Sequence, residues 1–492
     1  MREIQPVTYN STVYSDVNLL YSNSLIEPAQ LTSKLTYFYG KDSDMFPLLF
    51  STQGQGIINK VAPKALNDTQ YEWPVMGRMK HTSAIVGLAN SSNTKPGLAH
   101  GSFEAIFEDN WLIGQYGLTT PDKAHTLRIQ GEAVQLGPKQ YKYLLALSTA
   151  DATEYVSLDN FVPGTNWVMT APNVAMILSD GNRSNSMAPG KWTNQYDIVR
   201  FSKQITGNIA NKVTPIEFDL SDGTTTKLWM PFEMKLFEQD KRIMMEEKLW
   251  NGKYNRDEYG VIHLKDPVTQ EPIPQGAGVK EILKSVGQYD TYSTLTLAKL
   301  DSMVNTIFAN RIDSTPMELL LYTGSGGIEM FNNAIKNAAS ANSYYEKLGG
   351  EEIQGGKNGM LSYGKYFGQY KTISGYTITV KQAHIFDHGT YAEMDKKNGR
   401  VINSHPYESY DMVLLDHSMS NSGERNVQFV CEAGRENISG VYRGLTPLPA
   451  SWGAFDRNGL STRRDMASYE DMSTGGINIL NPFTSYFLNF AA

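Results

Sequence analysis

Three carboxylates recur at a seven-residue spacing between Thr226 and Gly252, in TKLWMPFEMKLFEQDKRIMMEEKLWNG: Glu233, Asp240 and Glu247. On a helix this spacing sets them in one line, where they could pair with basic groups on a facing surface. Glu246-Glu247 and Glu351-Glu352 are adjacent in sequence and point apart, so neither pair forms an acid–base dyad by itself. Ser325, in TGSGG (Thr323 to Gly327), has a hydroxyl that could act as a nucleophile. Its flanks do not make a nucleophile elbow, and no His/Asp set is evident to complete a triad. The same glycine-rich stretch could present N–H groups to a phosphate, but it lacks the lysine of a P-loop and reads as a plain turn. Gly350, Gly355 and Gly356-Lys357 miss the P-loop spacing by one, and no strand precedes them. His384 and His388 flank IFD at a strand end, where a four-residue spacing does not bring two side chains together. The remaining histidines are scattered singly, so metal-ligand spacing is lacking. Cys431, at an apolar strand position, reads as a buried structural thiol. We therefore expect no catalytic, cofactor-binding or metal site, and no enzyme.

The element that carries the acid line has the strongest helical period in the chain. Trp229, Phe232, Leu236, Ile243 and Trp250 fall on one strip. Met230, Met234, Phe237 and Met244 form a second, with the acids between them. Pro231 lacks an N–H and belongs in the first turn, which starts the helix near Leu228 to Met230. Asn251-Gly252 should end it through a left-handed cap. Glu238 can reach Lys241 and Arg242 at helical neighbour spacing. At roughly 35 Å the helix is long for a surface element, and its two strips predict two packing partners.

The 492 residues carry a net charge of -7 with no basic block, which argues against gripping nucleic acid by its phosphates. Charged residues make up 19% and aromatics 11%, a globular composition. With one cysteine, no internal disulfide can form, which suits a reducing compartment. The N-terminal residues lack a signal-peptide core, and no window is apolar enough to span a membrane. The sequons at Asn10, Asn67, Asn182 and Asn437 are then chance matches.

Residues 1 to about 60 read as an extended arm with a short helix from Pro28 to Phe38. An arm of this kind cannot build its own core. From Val61 to Gly223 the signal is β, with strands at Thr82–Leu88, Ser102–Phe107, Thr126–Leu136, Tyr141–Leu147, Asn166–Met169 and Asn173–Leu178. Tyr196 to Ile209 runs back towards the long helix. After it come a short strand in YGVIHL, a short helix from Val279 to Val286 and an amphipathic helix from Leu295 to Asn310. A buried strand, Met317–Tyr322, turns through TGSGG into a helix from Ile328 to about Ala339. Strands follow at Gln369–Ile373, Tyr376–His384, Asp411–Asp416 and Asn426–Glu432. GVYRGLTPLP reads as a further strand, and INILNPFTSYFLNF as a docked apolar tail. There is no internal repeat or heptad array.

This order of elements resembles the major capsid proteins of tailed phages, the Hong Kong 97-type fold, and within them those of crAss-like phages. The resemblance implies an α+β fold in five parts. They are an N-terminal arm (1–60), an extended loop carrying a β-rich insertion (61–223), a spine helix with the peripheral domain (224–290), an axial domain (291–440), and a returning peripheral strand and tail (441–492). Tyr370 to Glu432 would supply the axial sheet. The implied function is self-assembly, as hexamers and pentamers, into an icosahedral shell around double-stranded DNA. Portal, scaffold and decoration proteins would be partners, and assembly would take place in the host bacterial cytoplasm. The scaffold is expected to be a separate protein, since no scaffolding segment precedes the arm. The Lys, Asn and Glu set that cross-links the prototype shell is not identifiable. Glu233, Asp240 and Glu247, with Trp229 and Trp250, are the candidate assembly-interface residues, the acids meeting basic groups of a neighbouring subunit or of the inserted loop. The acidic balance fits a shell whose DNA must leave, so contact with that DNA should be weak and non-specific. The alternative is a carbohydrate-binding or carbohydrate-cleaving β protein, favoured by the many Tyr, Trp, Asn and Gly residues and disfavoured by the long helix and the missing carboxylate pair.

Overall fold

A computed structural model describes residues 46–52, 64–77, 79–177, 181–206, 213–219, 225–309, 319–341, 369–371, 377–419, 423–445 and 462–491. The helix expected from Pro28 to Phe38 lies outside them. The chain forms two compact units, one from Trp73 to Trp192 and the other from the sequence on either side. The strands that lead between them, Gln70–Val75 and Gly190–Gln195, pair with each other.

In the Trp73–Trp192 unit, Thr82–Leu88 and Ser102–Phe107 are strands as the alternation predicts. Phe103, Ala105 and Phe107 point inward while Ser102 and Glu104 are exposed, the two-residue period of a half-buried strand. The expected strand from Thr126 to Leu136 is two, Thr126–Ile129 and Val134–Gly137. Gly131, at φ 89°, breaks it with a backbone conformation that side chains disfavour. Residues 173–177 form no strand, and Met176 and Ile177 there are exposed. Ser102–Phe107 pairs with both Thr82–Leu88 and Gln140–Leu147, so the antiparallel sheet closes on itself. Closure leaves few unpaired edges, and the interior is filled by Phe107, which meets Tyr143 and Trp167 edge-to-face, and by Phe161, tilted against Trp167.

The second unit contains the α-helices of the described residues, labelled α1 (Pro47–Thr52), α2 (Trp229–Asn251), α3 (Val279–Ser285), α4 (Leu297–Ala309), α5 (Ser325–Ala341), α6 (Ile385–His388) and α7 (Thr390–Lys397). Its six-stranded sheet runs Tyr289–Tyr292, Tyr486–Phe490, Met412–Asp416, Leu319–Thr323, Thr377–Gln382, Gln369–Lys371. Every residue of Met412–Asp416 is buried, as befits an inner strand covered on both faces. Core side chains of α4 and α5, among them Leu300, Ile307 and Phe331, pack with Leu321, Met412 and Leu488 of this sheet.

A five-stranded sheet is built on Met466–Ile479, which pairs with Asp197–Thr206, Val427–Glu432 and Asn437–Arg443; Lys64–Leu66 adds to Val427–Glu432. The strands expected in one axial sheet are thus shared between two sheets. The tail is not merely docked: Tyr486–Phe490 lies inside the six-stranded sheet. YGVIHL is no strand; within it Ile262 forms an isolated bridge with Arg256.

The helix α2 follows the expected bounds within one residue. Its C-terminal half buries Ile243, Met245, Leu249 and Trp250 against Val279 and Leu283 of α3, Phe386 of α6, and Leu48 and Leu49 of α1. Phe237 meets Phe201 and Tyr469 edge-to-face on the five-stranded sheet. Two packing partners are present, but Met244 of the second strip is exposed and Met245 replaces it in the core. Gly252 does not adopt the left-handed cap conformation. It is required because a Cβ there would lie 2.6 Å from Lys248 O and 2.7 Å from Gly276 O. The helix ends where two backbones touch.

Candidate assembly surface on the long helix

The acids of α2 have separate fates. Glu233 is nearly buried and pairs at 2.8 Å with Lys203, on the returning strand Asp197–Thr206. Asp240 is exposed, with no ion pair among the described residues. Glu247 is buried and accepts from the backbone N–H and the hydroxyl of Thr390, the first residue of α7. Glu246, beside it, accepts at 2.8 Å from each of the Leu48 and Leu49 N–H groups in the first turn of α1 and from Trp250 Nε1. The adjacent pair points apart, as expected, and each carboxylate caps a different helix. The first N–H groups of a helix have no partner inside it, and the local field there favours negative charge. Burial pushes the Glu246 carboxyl up to about 7, against the lowering by its three N–H donors.

Two lysines of α2 brace it to the five-stranded sheet. Lys241 bonds Asp471 at 2.6 Å, rather than Glu238, and Lys248 bonds Asp197 at 3.0 Å. Burial raises the Asp197 carboxyl, and Lys248 lowers it in part. Trp250 is 0% exposed and packs edge-to-face on Tyr322 and Phe386. That corrects its place among the interface candidates, since it has no surface left for a neighbour. Trp229 begins the helix, but its side chain lies outside the described residues.

Beside the C-terminal half of α2 runs a groove of about 830 Å³, bounded by Val199 and Phe201 of the returning strand, Met244 and Lys248 of α2, and Tyr391 and Met394 of α7. Met244, Tyr391 and Met394 are 41%, 42% and 48% exposed. Large apolar side chains gathered at an open groove are what partners cover. No sequence signal pointed to Tyr391 or Met394, which α7 brings to α2 from more than a hundred positions away.

The Ser325 reading needs correction. Helix α5 starts at Ser325 itself, not at Ile328, and a His and an Asp do converge there. Ser325 Oγ lies 2.7 Å from Asp387 Oδ1 and 3.1 Å from His405 Nδ1. The wiring is that of a cap: Asp387 accepts from Ser325 N, Ser325 Oγ and Ser409 Oγ. A hydroxyl that donates to the acid is not activated by the histidine. His384 and His388 also differ from expectation, for they bracket the single helical turn α6, His384 as its N-cap and His388 as its last residue, with His388 N on His384 O at 2.9 Å. Burial lowers the His388 imidazole, and Lys396 lowers it further. Among the described residues no group of three or more His, Cys, Asp or Glu could hold a metal. Among them, too, no helix is long and apolar enough to cross a membrane.

A model of the Crassvirus major capsid protein family matches residues 12–492. The chain belongs to this family. It is a major capsid protein, the structural subunit of the icosahedral shell of a crAss-like tailed phage. No curated protein compared with it matches. Among solved structures, the capsid subunit is similar to a chain of Microbacterium phage Oxtober96, at 7% identity and a TM-score of 0.35, covering 97% of this chain and 99% of that one. It is likewise similar to a chain of Mycobacterium phage Bobi, at 8% identity and a TM-score of 0.35, over 97% and 100%. A chain of the capsid structure of Cyanophage P-SCSP1u has 8% identity and a TM-score of 0.32, over 65% and 80%. The carbohydrate alternative gives way to the family assignment.

Proposed function

We propose that the subunit has the Hong Kong 97-type arrangement, closes into hexamers and pentamers, and seats an apolar segment of a second copy in the groove beside α2. The groove carries this reading. A shell subunit must bury surface against copies of itself. Met244, Tyr391 and Met394 offer apolar surface, and the charged residues Asp197, Glu247, Lys248 and Lys253 also line the groove. On this reading the part from 1 to 60 is the arm and the part from 61 to 223 the extended loop with its β insertion. The spine helix and peripheral domain span 224–290, the axial domain 291–440, and the return 441–492. Exposed Asp240 is the acid of the line that remains for a basic group of a neighbour. Portal, scaffold and decoration proteins complete the particle in the host cytoplasm, and the acidic balance keeps the packaged DNA loosely held.

The test is assembly of full-length Met394→Asp and Asp240→Leu subunits with scaffold, scored by microscopy and sedimentation. Met394→Asp is expected to leave thermal unfolding unchanged and to lower shell yield. Yields equal to the parent for both variants contradict the interface.

A further inference from the structure

The capsid role makes no use of a buried cluster next to the six-stranded sheet. Lys280 on α3 reaches Asp411 Oδ2 at 2.8 Å and Glu408 Oε1 at 2.5 Å. Lys280 and Asp411 are 7% and 5% exposed. The ammonium lies 4.8 Å from the Phe386 ring centroid and 5.5 Å from that of Phe487. Asp411 Oδ1, the oxygen not facing the lysine, accepts the Phe490 N–H at 3.0 Å. The four parts come from α3, the 3-10 turn Tyr407–Tyr410, the residue before Met412–Asp416, and the C-terminal strand.

These are the parts of an acyl-transfer site: an amine, a carboxyl carbon one bond beyond its hydrogen-bonded oxygen, a second carboxylate on the amine, and an N–H aimed at the oxygen where charge develops. Aromatic rings exclude water, so the reverse hydrolysis lacks its reactant. We propose that Lys280 and Asp411 join in an intramolecular isopeptide bond, with Glu408 as the proton carrier.

The step balances without another reactant. One proton passes from the Lys280 ammonium to Asp411 Oδ2, which gives a neutral amine and a carboxylic acid. Nζ attacks Cγ while the Phe490 N–H holds the charge that develops on Oδ1. Glu408 takes a second proton from the nitrogen and delivers it to the departing Oδ2 hydroxyl. The C–O bond breaks, the amide forms, and one water leaves.

Burial pushes the Asp411 carboxyl up to about 6, against the lowering by Lys280, so the acid form that the step needs is within reach. Burial by itself lowers the Lys280 amine, but Asp411 and Glu408 outweigh it and hold it above the ordinary lysine range. The resting pair is therefore ionic, and the bond forms slowly. A staple needs to form once per molecule. It would close 131 positions of chain and tie α3, which packs on the long helix, to the sheet's inner strand.

The experiment is intact mass spectrometry of the full-length subunit, free and in assembled shells, with peptide mapping after digestion. The expected mass is below the sequence mass by one water, with one branched peptide joining Lys280 to Asp411. Glu408→Gln should keep the fold and show the full mass. Lys280→Arg keeps the charge pair and should also show the full mass, with a lower unfolding temperature. Asp411→Asn should give the same amide by losing ammonia, a readout that an ion pair does not produce. An unmodified parent mass in both free subunit and shell overturns the proposal and leaves the cluster as a buried ion pair. So does a branched peptide that persists in Glu408→Gln.

Discussion

Glu246 and Glu247 show how much a single side chain on the long helix decides. Each is buried, and each holds the first turn of a helix distant in sequence. Removing one strands N–H groups that water no longer reaches, which costs on the order of 1–3 kcal/mol. The pH behaviour of Glu246 follows from its surroundings. Its folded-state carboxyl is raised from 4.5 to about 7, so the stability it contributes is fully present below about 4.5 and is lost as pH rises through about 7. The lost part is on the order of 3 kcal/mol. Unfolding followed across this range should show the parent weakening relative to Glu246→Gln as pH rises, and amide exchange at Leu48 and Leu49 should quicken in step. Parallel pH profiles for the two proteins would contradict the assignment.

At the scale of elements, α1 and the C-terminal strand are small pieces with large consequences. Leu48 is fully buried in the core that α2 and α3 share. Leu48→Ala should cost about 2–5 kcal/mol, measured by denaturant unfolding. A change below half a kcal/mol would mean that the segment does not sit in the subunit's core. Tyr486–Phe490 fills the gap between Tyr289–Tyr292 and Met412–Asp416, with Phe487 and Leu488 fully buried. Truncation after Ser485 would open the sheet in its interior. We expect no soluble subunit from that deletion, and a stable truncated protein with native circular dichroism would refute the strand order.

The whole molecule is a shell subunit, and its surface chemistry has to serve assembly. Asp240→Leu bears on this scale, because Asp240 is exposed and should change folding by no more than about half a kcal/mol. Loss of shells without loss of subunit stability is the expected separation. Purified subunits that stay monomeric at high concentration with scaffold present would count against closure into hexamers and pentamers.

The sequence by itself determined those elements whose pattern is local. The period of α2, the alternation of Ser102–Phe107 and the apolar run of Met412–Asp416 each follow from side chains a few residues apart. Their strength as signals is that one face, or both, must leave water. The tertiary structure decided everything that joins distant residues. Met466–Ile479 has Gly475-Gly476 near its end and little alternation, yet it is the strand that three others pair with. Leu48 and Leu49 reach Glu246 across 198 and 197 positions, and Thr390 reaches Glu247 across 143. Lys280, Glu408 and Asp411 carried no spacing that marked them as a set. A buried carboxylate or amine takes whatever partner the packing delivers, because an unpaired charge away from water costs too much to leave. Which partner that is depends on topology, and no local period encodes it.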